Sequence, residues 1–161
     1  MKRLILIAAC IFSAFSASAI DGKTIYNKYS DAEDVSAVYI SKAMFKLIKK
    51  LPSLKMGENS ADIASVVQSL EGMYVIDSQN TGINQSIKKD VDRFVQSGKY
   101  EMLMEVKESG ETVHIYTLGA GEIIDGFVLL SWDKGNCTFI NLDGKMLKSK
   151  LEEVLANSSA E

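Results

Sequence analysis

The chain opens on a positive pair, Lys2 and Arg3, then runs through almost unbroken apolar residues from Leu4 to Phe15. Ala17-Ser18-Ala19 follows as a small-x-small site, so the pattern predicts a secretory leader over 1–19, cut before Ile20. An apolar run this short does not span a bilayer, and nothing later in the chain replaces it. Ile7-Ala8-Ala9-Cys10 permits a second reading, a lipoprotein signal in which Cys10 becomes the acylated first residue. Cleavage there leaves only Leu4 to Ala9 as apolar core and sets Ile11, Phe12 and Phe15 on an exposed arm, so cleavage after Ala19 is expected.

Beyond the leader, Ile20 to Tyr29 reads as a short helix or extended arm, and Val35 to Ile40 as a β-rich run. Ser41 is placed to cap a helix whose apolar positions are Met44, Leu47, Ile48 and Leu51, with Pro52 as its stop. Ser60 opens a second short helix through Ile63, Val66, Val67 and Leu70; Gly72 breaks it, and Met73 to Asp77 is a strand. A longer helix is predicted from about Ile83 to Gln96, ended by Gly98. From Tyr100 onward the period changes to two. Tyr100–Val106, Thr112–Leu118, Ile123–Trp132 and Thr138–Leu142 are four strands joined by Glu108-Ser109-Gly110, Gly119-Ala120-Gly121 and Asp133-Lys134-Gly135-Asn136. Asp143-Gly144 ends the last strand, and Met146, Leu147, Leu151, Val154 and Leu155 mark a final helix.

This order predicts an α+β fold: a single domain over 20–156, helices packed on a mostly antiparallel sheet, a C-terminal four-strand meander, and a polar tail over 157–161. The expected core holds Val38, Ile40, Met44, Leu47, Ile48, Val91, Phe94, Ile115, Val128, Leu130 and Leu151. Of 18 basic residues two leave with the leader, against 21 acidic ones, so the mature domain carries a net charge of −5. That balance, with no basic stripe, excludes an electrostatic nucleic-acid binder. Cys137 is then the sole cysteine, which rules out an internal disulfide and a cysteine-rich zinc site, and its strand context points to a packed thiol.

Four groups of residues invite chemistry. Ser86 and Lys89 stand one helical turn apart in a Ser-x-x-Lys pattern, which suits a lysine-activated serine of an envelope hydrolase. Its Ser-Asp-Asn and Lys-Thr-Gly companions are missing, and the simpler reading is a solvated helix face carrying Ser86, Lys89 and Asp90. His114 is the single histidine, on the Thr112 and Tyr116 side of its strand, without a Gly-x-Ser-x-Gly elbow elsewhere to serve. Met102 and Met104 are two apart, and with His114 beside them would offer soft ligands to Cu(I); the simpler reading makes Tyr100, Met102, Met104 and Val106 one apolar face. Gly119-Ala120-Gly121 lacks the phosphate-loop pattern and is a turn. No catalytic, cofactor-binding or metal residue is therefore assigned, and a non-enzymatic binding or assembly role is expected, with the hydrolase as alternative.

Val38-Tyr39-Ile40-Ser41-Lys42-Ala43-Met44-Phe45, Gly98 to Met104, the Val113 to Tyr116 strand, Gly126 to Leu130 and Leu142-Asp143-Gly144 resemble, in order and spacing, the exported bacterial "domain of unknown function 4252" family common in Bacteroidetes. The resemblance implies an exported or membrane-attached envelope protein and brings no catalytic residues. Many members look like lipoproteins. Intact-mass analysis of the native protein is expected to show a chain beginning at Ile20; a lipid-bearing species beginning at Cys10 would contradict it.

Overall fold

A computed structural model describes residues 20–50, 69–119 and 121–152, the side chains of 48–50 excepted. The leader with Cys10, Leu51, Pro52, the expected helix from Ser60 to Val67, and Val154, Leu155 and the tail all lie outside the described residues.

Asp21 begins the described helices: its carboxylate accepts from the Thr24 amide at 2.7 Å and caps α1 (Gly22–Tyr29). Strand β1 (Val35–Ser41) runs directly into α2 (Lys42–Lys50), where the Ser41 hydroxyl accepts from the Met44 amide at 3.4 Å. Strand β2 (Leu70–Ser78) leads to α3 (Thr81–Ser97), capped by Asn80 at its start and closed at Gly98, whose amide donates to the Phe94 carbonyl. Then come β3 (Glu101–Glu108), β4 (Glu111–Leu118), β5 (Ile123–Trp132) and β6 (Cys137–Leu147), and residues 148–152 open a last helix, α4.

Among the described residues the six strands make one antiparallel sheet in the order β1-β2-β6-β5-β4-β3. The meander is present as expected, and the earlier pair β1-β2 joins it along β6. Alternation sends Ile76, Phe139, Val128, Leu130 and Tyr116 to one face, where Ile25 and Tyr29 of α1 and Ile87, Val91, Phe94 and Val95 of α3 cover them. Cys137 belongs to this core, and burial lifts its thiol to about 11, as suits a packed and unreactive group. The second face carries a smaller cluster of Phe45, Leu70, Ile115, Ile124, Phe127, Met146 and Leu151.

Four expectations need correction. α2 is rotated from its expected phase: Phe45 is buried, while Met44 and Leu47 are 46% and 50% exposed. Val38, expected inside, is exposed on the second face, and Ile40 is only half-buried there. Gly72 lies within β2, and Leu70 starts that strand instead of ending a helix. Asp143-Gly144 does not end β6, because Gly144 takes a left-handed φ of +125° at an irregularity and the strand runs on through Met146 and Leu147.

α1 is tied to α3 through Asp90, which accepts from the Tyr29 hydroxyl at 2.7 Å and from Lys28 at 2.5 Å. Burial pushes the Asp90 carboxyl up, but the hydrogen bonds from Lys28 and Tyr29 outweigh it and hold the group below its ordinary value. Asp90→Ala is expected to cost about 2 kcal/mol at neutral pH, since it leaves the Tyr29 hydroxyl without its charged partner. A depressed carboxyl stabilises the fold above its unfolded pKa and loses that contribution as pH falls through the folded one. The gap between wild type and variant in urea unfolding should therefore be constant at neutral pH and close below about pH 4.

Candidate functional site

Strand β3 is the outer edge of the meander, and all eight of its residues are exposed. Its register with β4 is set by the turn. Ser109 and Gly110 both have positive φ, 50° and 92°, which makes a two-residue primed hairpin closed by the pair Glu108 and Glu111. Counting back from that pair places Glu105 opposite His114, Val106 opposite Val113 and Lys107 opposite Thr112.

His114 consequently meets Glu105: Nε2 lies 2.7 Å from the carboxylate, and Nδ1 lies 2.9 Å from the Tyr116 hydroxyl. Lys107, bonded to the same carboxylate at 2.8 Å, and then His114 hold Glu105 below the usual carboxylate range. An ionised carboxylate only accepts, so Nε2 of the neutral ring carries the proton and Nδ1 accepts from Tyr116. The Trp132 ring meets the imidazole edge-on at 4.8 Å, and Lys88 of α3 sits 4.0 Å above Trp132. Both imidazole nitrogens are thus engaged by neighbours on the sheet. Ser86 and Lys89 are exposed on α3, and neither contributes to this group.

The methionines are parted. A bulge between Met102 and Met104 shifts the register, so Met102 pairs with Tyr116 and Met104 with Ile115. Paired residues share a face, and Ile115 points opposite to His114; Met104 therefore sits across the sheet from the imidazole. The arrangement needed for Cu(I) is not assembled. Among the described residues no group of three His, Cys, Asp or Glu is placed to hold a metal.

At the other end of the sheet a cleft of about 720 Å³ is lined by Ser69, Glu71, Tyr100, Leu118, Asp125, Asp143, Gly144 and Lys145. Burial raises the Asp143 carboxyl and lifts the Tyr100 hydroxyl to about 12. Tyr100 fills the space left by Gly126, where a Cβ would come within 2.6 Å of its hydroxyl oxygen. Buried Asn141 donates to the Phe127 carbonyl at 3.2 Å. These groups lock β5 and β6 to the start of β3, and the cleft is polar and open to water.

On the second face the apolar surface is continuous. Met104 and Val106 of β3 continue through Val113 of β4, Leu129 of β5, Ile140 of β6 and Val75 of β2 to Val38 of β1. Val38, Met104 and Val106 are exposed and the rest half-buried, and Met44 and Leu47 of α2 are exposed as well. No described helix is long and apolar enough to cross a membrane.

The chain belongs to the family described as a domain of unknown function (DUF4252), whose model matches residues 29–154. No curated protein and no solved structure matches it.

Sequence reading found His114 but not its partner Glu105. The signal was the two-residue turn, which fixes the cross-strand pairing. Long-range nitrogen NMR of His114 is expected to show the Nε2–H form as the dominant neutral tautomer; in a Glu105→Ala, Tyr116→Phe double variant the two forms should mix.

Proposed function

We propose that this protein is an exported, envelope-associated module that works by binding another protein chain and performs no catalysis. The observation that carries the reading is the edge strand β3, exposed along its whole length, with Met102, Leu103, Met104 and Val106 open to solvent. An edge strand offers a row of unpaired backbone donors and acceptors, and an extended partner can add to it as a further strand. The apolar second face beside the edge gives that partner side-chain contacts. Export rests on the leader over 1–19.

The hydrolase alternative draws no support from the geometry. Ser86 and Lys89 lie on an exposed helix face, and both His114 nitrogens are taken up by Glu105 and Tyr116.

Capture from envelope extract tests the reading. The wild-type chain is expected to retain a protein partner that is lost in a Met104→Lys, Val106→Lys variant whose unfolding curve matches wild type. Equal capture by both chains, or none by either, would count against it.

A further inference from the structure

The outer edge of β3 is complementary to itself, and we propose that it pairs with β3 of a second copy, antiparallel, about a two-fold axis at Val106. This rests on reading β3 as a binding edge and names the strand that occupies it. Hydrogen-bond phase comes first. Glu108 and Glu111 close the two-residue turn as a hydrogen-bonded pair, so alternation makes Lys107–Thr112 and Glu105–His114 non-hydrogen-bonded pairs. The backbone groups of Glu105 and Lys107 therefore point away from β4, and those of Val106 point towards it. A second strand can bond only at Glu105 and Lys107.

Charge then selects the register. On the regular stretch Met104 to Glu108, symmetric pairing centred on Glu105 sets that carboxylate against itself, and pairing centred on Lys107 sets two ammonium groups together. Only the centre at Val106 places Glu105 opposite Lys107 of the copy, and Lys107 opposite its Glu105. Those are the two positions whose backbone groups face outward, so the register that charge selects is one that hydrogen bonding allows. Like charges directly opposite would be destabilising, and opposite ones add to the pair.

The faces match too. Glu105 and Lys107 share the His114 face through their β4 partners, while Met104, Val106 and Glu108 share the other. In the dimer Val106 meets Val106, and Met104 lies diagonal to it, so the apolar second faces of both copies join across the seam. The bulge at Met102–Met104 and the turn at Ser109-Gly110 bound the paired stretch and oppose slippage. The result is a continuous twelve-stranded sheet.

Four variants test this on the purified chain, with mass measured by sedimentation equilibrium across the micromolar range. Wild type is expected to dimerise. Lys107→Pro removes an outward donor without taking a backbone bond from β4, so it should give a monomer that still unfolds cooperatively. Lys107→Glu makes both symmetric pairs like-charged and should weaken dimerisation about tenfold. The Glu105→Lys, Lys107→Glu exchange should restore it. Val106→Cys should oxidise to a dimer with the bridge mapped to position 106, because directly opposed positions bring the Cα atoms within disulfide reach. If Lys107→Pro does not fold, the charge exchange and the bridge decide alone. A wild-type monomer throughout, or a dimer indifferent to Lys107→Glu and unbridged at 106, would overturn the proposal. A monomer that still captures an envelope protein through β3 would overturn the self-pairing and leave the binding function standing.

Discussion

The chain must carry itself from β2, second in the sheet, to β3 at the opposite edge, and α3 meets that requirement. Four strand spacings amount to about 19 Å, and a helix of the length of α3 reaches about 25 Å. One helix laid across a face can therefore join the two positions without a long loop. Everything on the helical face follows from that crossing. Ile87, Val91, Phe94 and Val95 are delivered onto the strands they cover, and α1 is drawn against the crossing helix by Asp90. The meander then starts at the far edge and has only one direction to grow, back towards β2.

Elements governed by one strong period were legible in the amino-acid sequence. α3 and β5 fall within a residue or two of expectation, because helical spacing in one and an apolar run between clear turns in the other leave little choice. The errors lie where glycine or a bulge changes the meaning of a position. Gly72 and Gly144 read as breakers, yet each sits inside a strand next to a register shift. The β3 bulge has no glycine or proline to announce it, so the period of two from Tyr100 to Val106 promised a single face that the strand does not keep. α2 is short, and Phe45 rather than the expected Met44 and Leu47 provides its buried contact.

The candidate site was legible only in part, for a related reason. His114 stands out as the single histidine, but its role depends on what the turn places across from it. Glu105 sits nine residues earlier, and only the two-residue geometry of Ser109-Gly110 makes the two opposite. The binding edge was hidden more completely. Sequence patterning predicts that β3 is a strand, whereas its place at the rim follows from the crossing made by α3. Membership of DUF4252 fits the domain without assigning a reaction to it, so the surface of β3 is the better guide to what the protein does.

β6 has a further consequence. The last of the described strands is an interior one, bonded to β2 on one side and to β5 on the other. The β1-β2 pair belongs to the first half of the chain, yet its inner edge has no partner until the final strand arrives. Long-range closure of this kind is slow, because loop entropy is lost before the contacts form. A chain in which β6 has not yet formed therefore holds two separate pieces of sheet and no completed core. Sheet completion becomes a late, nearly all-or-none event, and a truncation that removes β6 leaves the two pieces unjoined.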